Sequence, residues 1–384
     1  MKILIIASGV GKTAPGIVYE RLIQGLSVHH DVDVLASEFD PSIDLTEIRD
    51  AIVIGNLPVP SAIQKHLVSM FSLNPFDLAW ALLSVLCLHA RKPDGYDVVL
   101  SFLSNHHHAA TIAGAIYSRT GNCKFAVHSI DAVPPPGWPE HDGYRKGVER
   151  LVRRCLGLAD ALTSTNKKML EYQLKTFANK DTLLTNVVFN PTIGNARIFP
   201  GPDLVVNRFL YTGKLYGVRK VEYVLEAFEK LLDEYPNSCL TFVEATVPLS
   251  VLSRMNRRTR TQLEFIPFRR NLDNYYSRSV ALIDIDADIE DDVFLSSKIT
   301  NYILVNRRII SETGRNSPSR ELFRGIGSII QCDHNSTQIY EAMRVAISEK
   351  DKIDVSDREG VLGQFSQDNV CAELDRSLRE LLRR

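Results

Sequence analysis

The chain carries almost no net charge: 45 lysines and arginines stand against 46 aspartates and glutamates, leaving −1 over 384 residues. Without a cationic surplus it lacks the electrostatic footprint of a nucleic-acid binder, and no nucleic acid is expected among its partners. It has no long apolar run either. The longest uncharged one, Leu78 to Leu88, is 11 residues, well short of the ~20 that span a bilayer. The apolar segment Lys2 to Ala7 is short and leads into Gly9 and Gly11, which reads as a buried first strand and not as a signal peptide. Cysteine pairs at metal-binding spacing are missing. Cys87, Cys123, Cys155, Cys239, Cys332 and Cys371 are scattered and read as buried thiols of a reducing compartment, so the cytoplasm is the expected address. No internal repeat or low-complexity tract occurs. What remains is the composition of a soluble globular protein, 45% apolar and 24% charged, long enough for two sizeable cores.

Short apolar runs alternate with helical patterns from the start. Strands are expected at Lys2–Ala7, Asp31–Leu35, Ala51–Ile54, Val98–Phe102, Lys124–Ser129 and Ala161–Thr165. Between them, apolar residues at helical spacing mark Ile17–Ser27, Ala62–Leu73, Asp77–Ala90, His107–Ser118, Tyr144–Leu158 and Lys167–Thr176. Strands that are apolar throughout and spaced by helices predict a parallel sheet covered on both faces. Residues 191–207 hold Pro191, Gly194, Pro200, Gly201 and Pro202 without periodicity and read as a linker. A second series follows. Its strands are expected at Phe209–Thr212, Ser238–Glu244, Glu264–Ile266, Val280–Asp284, Arg308–Ser311 and Ile329–Cys332, and its helices at Val221–Tyr235, Ser297–Val305 and Gln338–Ser348. The expected organisation is a first domain over 1–190, a second over 208–365, and a C-terminal helix over 366–384 packing back on the first domain. Two doubly wound α/β units imply a cleft, with ligands outside the carboxyl ends of the strands.

Several motifs invite a chemical reading. The loop Ser8-Gly9-Val10-Gly11-Lys12-Thr13 is not a P-loop, because the first glycine of that motif would fall at Ile6, and Pro15 and Gly16 separate Thr13 from the helix. Gly9 and Gly11 either let a ligand approach the backbone or make an ordinary tight turn. Asp284-Ile285-Asp286-Ala287-Asp288 fails the calcium-loop pattern, which would need glycine at Ile289 and glutamate at Leu295. It reads as an acidic loop, and no metal site is assigned. His106, His107 and His108 are consecutive; helix neighbours point about 100° apart, so one of them facing the cleft is a better reading than a metal site. The segment Phe209 to Lys220 has glycine at the end of a strand, Gly213, followed by Lys214, Arg219 and Lys220. Glycine permits close approach and long cations neutralise a diphosphate; the bland alternative is a solvated basic loop. In Phe294 to Ile303, a helix starting near Ser297 would aim unpaired N–H groups at an anion, with Lys298 adding charge and Asn301 reaching a ribose hydroxyl. The bland alternative is capping by Ser296 or Ser297.

These two stretches together resemble the second domain of retaining family 4 glycosyltransferases, whose fold is GT-B: α/β, with two doubly wound Rossmann-like domains facing each other across a cleft. Lys214 and Arg219 match the family's spacing for the cations that bind the donor diphosphate, with Lys220 as a substitute. Ser296-Ser297-Lys298-Ile299-Thr300-Asn301-Tyr302-Ile303 matches its later segment, except that Asn301 stands where the family has a glutamate. Val293 stands where it has another, with Asp291 and Asp292 nearby. In the first domain Gly157 to Thr165 and Leu184 to Pro191 match more loosely, and His128 and Asp131 fall where members carry residues beside the transferred sugar.

The resemblance implies a hexosyltransferase-type enzyme. It would move a sugar from a nucleoside-diphosphate sugar to a glycan or lipid-linked acceptor with retention, in surface polysaccharide or glycoconjugate synthesis. His128, Asp131, Arg219 and Lys298 would be the catalytic set. Gly213, Lys214, Arg219, Lys220, Ser296, Ser297, Lys298 and Asn301 would hold the donor, and Gly9, Gly11 and His106 would line the acceptor side. No metal or other cofactor is expected. The apolar stretch Ala62 to Leu88, with Lys65, Arg91 and Lys92 nearby, is either a peripheral contact with the inner face of the membrane or a buried core or subunit surface. Two alternatives stay open: a nucleotide-sugar epimerase, and a catalytically weak or inactive scaffold of the same fold that binds a partner.

Overall fold

The computed structural model describes residues 1–384 except 12, 57–62, 64–65, 69, 71–73, 92–94, 106–107, 139–141, 178–181, 193, 195, 202–205, 270 and 352–353. The chain divides into two compact units, Met1–Pro191 with Phe365–Arg384, and Thr192–Gln364. Each is a doubly wound α/β unit on a parallel sheet, the GT-B fold class expected above.

The first unit runs β1 (Lys2–Ala7), α1 (Ala14–Ser27), β2 (Asp31–Ala36), β3 (Asp50–Val53), α2 (Pro75–Arg91), β4 (Val98–Leu103), α3 (Ala109–Gly121), β5 (Lys124–Ser129), α4 (Asp142–Leu158), β6 (Ala161–Ser164), α5 (Lys167–Phe177) and β7 (Leu184–Val187). Among the described residues the strand order is β3-β2-β1-β4-β5-β6-β7, all parallel. β1 and β4 show no polar alternation because helices cover both faces, so each position must be apolar or hydrogen-bonded. The chain winds outward from β1 to β3 and returns to β4 on the other side of β1. The β1 and β4 ends therefore diverge in their connections, and that is where open α/β sheets leave room for a ligand.

One expectation is corrected here. Pro15 and Gly16 do not delay the helix. α1 begins at Ala14, Thr13 caps it by accepting from Gly16 N at 3.2 Å, and Pro15 lies in the first turn. Proline costs nothing there, since that N–H has no helical partner anyway.

The second unit runs β8 (Asn207–Thr212), α6 (Glu222–Glu234), β9 (Ser238–Val243), α7 (Leu249–Leu252), α8 (Arg257–Thr261), β10 (Leu263–Ile266), α9 (Asp273–Arg278), β11 (Ser279–Ile285), α10 (Ser297–Tyr302), β12 (Arg308–Glu312), α11 (Pro318–Leu322), β13 (Ile329–Cys332), α12 (Ser336–Ser348) and α13 (Glu359–Phe365). The strand order is β10-β9-β8-β11-β12-β13, again all parallel, so the switch lies between β8 and β11. Part of the stretch 191–207 is tied down in this unit: Arg197 bridges Val305, and Phe199 N donates to Asn306 Oδ1 at 2.9 Å.

The last helix, α14 (Gln367–Arg383), belongs to the first unit, where it packs on α1, β6 and β7. His30 Nε2 and Asp375 Oδ1 lie 2.6 Å apart, and Asn186 Nδ2 donates to Ser377 Oγ at 2.9 Å.

The connection from α10 to β12 is locked by a buried cation. Arg358 is fully buried and donates to Ser328 Oγ (2.8 Å), Val305 O (2.8 Å), Arg307 O (2.6 Å) and Ser328 O (3.0 Å). Burial lowers its pKa only to about 10, so it stays charged at neutral pH. Arg358→Met keeps the bulk but removes four hydrogen bonds, leaving Val305 O and Ser328 O only their backbone donors, Arg307 N and Ile309 N. We expect a stability loss of about 3–5 kcal/mol, read as a fall in the urea midpoint. A loss under about 1 kcal/mol would mean that water replaces the guanidinium.

Candidate functional site

The switch point of the second unit gathers polar groups from three segments. β8 ends at Thr212, and Gly213 follows with φ +97°, a conformation that favours glycine. A Cβ on Gly213 would sit 3.0 Å from Lys298 Cε, so the bare glycine also makes room for the Lys298 stem. That stem carries its ammonium over the Tyr211 ring, Nζ 5.5 Å from the centroid. Arg219 lies over the Tyr216 ring at 4.7 Å. Tyr302 Oη accepts from Thr212 N at 2.9 Å and pins α10 to the end of β8.

Arg219 and Lys298 are close enough to affect each other. Lys298 has its pKa pushed down to about 8, by burial first and by Arg219 second, while Asp284 and Asp286 pull the other way. Burial also opposes the charge on Arg219, but Tyr216, Asp286, Tyr211 and Asp284 outweigh it and hold its pKa above the usual value. A lysine whose charge burial and Arg219 oppose, beside a guanidinium held charged and a bare glycine at a switch point, is poised for an anion.

The other expected donor residues are engaged elsewhere. Lys214 faces Glu244 at 3.6 Å and Lys220 faces Asp288 at 2.6 Å. Ser296 caps α10, accepting from Lys298 N at 3.3 Å, while its own hydroxyl donates to Asp284 Oδ1 at 2.7 Å. Ser297 is exposed, and Asn301 Nδ2 donates to Ser297 O at 2.8 Å. The helix Ser297–Val305 is shorter than expected. α10 stops at Tyr302, six residues long, and so short a helix sums only a small dipole. The charge at this site rests on its side chains.

The reading of residues 284–288 as a solvated acidic loop is also corrected. β11 extends to Ile285, and Asp284 and Asp286 are buried, as is Asp292. Burial is the first cause raising the pKa of all three. The sequence held a clue, since Asp284 and Asp286 alternate with Ile283 and Ile285 and so share one face of a strand. Glu312 and His334 were not foreseen at all. Glu312 is buried at the end of β12, with its pKa pushed up to about 7, and His334 Nδ1 lies 2.9 Å from its Oε1. Among the described residues, no group of three or more His, Cys, Asp or Glu side chains is arranged to hold a metal ion.

In the first unit His128 is fully buried on β5, 2.8 Å from Thr163 Oγ1, with burial pushing its pKa down to about 3. The ring is neutral and has no exposed surface. Asp131 is partly exposed, and its Oδ2 accepts from Asn105 N at 3.1 Å. Gly11, at φ +80°, closes a tight turn by donating to Gly16 O at 2.9 Å, and a Cβ there would meet Ile43 Cδ1 at 2.3 Å. Gly9 flanks that turn, beside Glu38 and Ser37. His106 and Lys12 lie outside the described residues, as do Lys65, Lys92 and part of Ala62–Leu73. Tyr19 was not foreseen. It stacks on Phe102 at 4.4 Å, near Ser8, Ser104 and Asp131 at the ends of β1, β4 and β5.

α2 has two faces. Trp80, Ala81, Val85 and Leu88 are buried, whereas Leu78, Leu82, Leu83 and Leu86 point outward, 44 to 65% exposed. Among the described residues, no helix is long and apolar enough to cross a membrane.

Two doubly wound parallel units in one chain, each with its own switch point, define a GT-B architecture. No protein-family model matches the chain, and no curated protein matches it. Solved structures do. HepE from Anabaena, in complex with UDP-glucose, aligns with a TM-score of 0.67 at 12% identity over 99% of this chain and 100% of that one. Sucrose-phosphate synthase from Thermosynechococcus elongatus aligns at 0.70 with 11% identity over 100% and 99%. A putative UDP-N-acetylglucosamine 2-epimerase from Listeria monocytogenes aligns at 0.62 with 11% identity over 99% and 96%. At these identities the likeness is one of fold.

The buried carboxylates make stability depend on pH. Glu312 titrates near 4.5 when unfolded and at about 7 when folded. Between those values the folded state holds the extra proton, so stability falls as pH rises, on the order of 3 kcal/mol for this one group. Lys298 acts in the opposite sense above pH 8, where the unfolded chain binds its proton more tightly. The melting temperature of the second unit should therefore decline from pH 4.5 to 7, and Glu312→Gln should flatten that decline. An equal slope in both proteins would show that Glu312 is ionised throughout.

Proposed function

We propose that the second unit binds the diphosphate of a nucleoside-diphosphate sugar at Arg219 and Lys298, and that the chain is a retaining family 4 glycosyltransferase. The observation that carries this reading is a lysine, Lys298, whose charge burial and Arg219 oppose, set with Arg219 beside Gly213 at the β8–β11 switch point. In the proposed reaction the bond from the anomeric carbon to the phosphate oxygen breaks, and its electron pair goes to the departing diphosphate. Arg219 and Lys298 stabilise that growing charge. The acceptor hydroxyl attacks from the same face and passes its proton to the leaving phosphate oxygen. Positive charge comes from side chains, so no metal is called for. Ser296 and Ser297 flank Lys298, and Asn301 would release Ser297 O to reach the ribose. Lys214 and Lys220 would leave Glu244 and Asp288 to join the phosphates.

The acceptor, a glycan or a lipid-linked one, is assigned to the carboxyl edge of the first unit, where Gly9, Gly11, Tyr19 and Asp131 lie. Asp131 would contact sugar hydroxyls, with His128 supporting it from behind. The donor is proposed to carry a hexose, and the product to enter a surface polysaccharide or glycoconjugate. HepE is crystallised with UDP-glucose, which makes uridine the first base to test. The outward leucines of α2 are proposed to lie on the inner face of a membrane. An epimerase of the same fold would instead turn over its donor with no acceptor present.

UDP, GDP, ADP, CMP and dTDP should be compared by thermal shift. One diphosphate at 100 times its Kd should stabilise the protein by about 2.7 kcal/mol, and Arg219→Ala should remove the shift. No shift with any of them would favour a scaffold that binds no donor. For the membrane contact, wild type should sediment with vesicles of anionic phospholipid more than with neutral ones, and the Leu82→Asp/Leu86→Asp double variant should stay in solution. Equal partitioning of both proteins would leave α2 as a protein contact.

A further inference from the structure

The ends of β11 and β12 hold more buried carboxylate than the cations beside them balance. Asp284, Asp286, Asp292 and Glu312 are each at most 1% exposed. One oxygen of each is held: Asp284 by Ser296 Oγ at 2.7 Å, Asp286 by Ala287 N at 3.0 Å, Asp292 by Phe294 N at 3.1 Å, and Glu312 by His334 Nδ1 at 2.9 Å. The other oxygen of each has no hydrogen-bond partner among the described residues, and neither do the Ser311 and Thr313 hydroxyls on either side of Glu312.

The groups facing this cluster come from every element around it. The turn after β8 contributes Tyr216, Arg219 and Lys220, and β8 itself contributes Tyr211. α10 contributes Lys298 and Tyr302, the turn after β11 contributes Asp288, β13 contributes the Cys332 thiol, held neutral by burial, and the turn after β13 contributes His334. Lys220 is paired with Asp288. That leaves Arg219, Lys298 and at most His334 against four carboxylates in a dry corner. Four buried negative charges do not coexist there, so some of the carboxyls keep protons. The unpartnered oxygen of each is available to carry such a proton.

A phosphate placed at Arg219 and Lys298 adds negative charge to the same corner. Every carboxyl facing it then holds its proton more tightly. As pH rises the ionised carboxylates occupy the two cations and compete with the ligand. We propose that the Asp284, Asp286, Asp292 and Glu312 cluster takes up protons when a nucleoside diphosphate binds, acting as a built-in, pH-dependent competitor for Arg219 and Lys298. This rests on the donor-site reading above. The raised carboxyl pKa values and the lowered Lys298 value agree with it.

The test is titration calorimetry of the intact chain with UDP-, GDP- and ADP-glucose, whose diphosphates do not themselves titrate near neutral pH. Each titration is repeated at pH 7.5 in buffers of different ionisation enthalpy, whose slope counts protons. Wild type should take up a fraction of a proton per ligand, and affinity should fall by roughly 3- to 10-fold from pH 6.5 to 8.5, within what one coupled group allows. Asp286→Asn and Asp292→Asn should each bind at pH 6.5 with a smaller slope; two variants are used because either one alone could misfold. Binding with zero slope in wild type overturns the proposal. So does a slope unchanged in folded forms of both variants, which would leave Lys298 as the titrating group. Failure of all three sugars to bind overturns the donor-site reading itself.

Discussion

Two cations and four carboxylates share one buried corner of the second unit, and the parallel sheet is what forces them together. Parallel pairing puts the ends of β8, β11 and β12 on one edge of the sheet. Asp284, next to last in β11, and Glu312, last in β12, are carried inside by strands that are buried at nearly every position. Once there, they need protons or cations. Arg219 reaches them from the turn after β8, and Lys298 reaches them past Gly213, where any side chain would obstruct it. The rest of the unit supports this arrangement. Tyr302 ties α10 to Thr212, Ser296 ties it to Asp284, and Arg358 ties its exit to β13.

The first unit shows the same edge with the charge removed. Tyr19, Ser104 and His128 bring uncharged polar groups to the ends of β1, β4 and β5, with Asp131 the nearby carboxylate. One edge suits a charged group and the other suits hydroxyls. That contrast follows from which residues end each strand.

Most strands were legible because burial on both faces leaves an unbroken apolar run, as in Ile3 to Ala7 and Val280 to Ile283. Ends were read less well. Pro15 reads as a barrier in the sequence although it sits in the first turn of α1, and the apolar pattern of α10 runs on through Ile303, Leu304 and Val305, three residues past its end. Those residues are buried in the turn that Arg358 locks, not in a helix. At the site, Gly213, Arg219 and Lys298 were visible as spacing. Asp284 and Asp286 were visible as letters but misread, because an acidic run ordinarily faces water. Glu312 and His334 carried no signal, since they meet 22 residues apart across neighbouring strands.

The sequence by itself determined the class of architecture and the segments that bring cations to a strand end, because periodicity and glycine placement are local properties. Only the tertiary structure decided which charges face each other. It turned Lys214 and Lys220 onto Glu244 and Asp288, sealed His128 in a core, and set four carboxylates beside Arg219 and Lys298. Pairing of that kind depends on strand order and on burial. Both come from contacts between residues far apart in the chain, which no local pattern encodes.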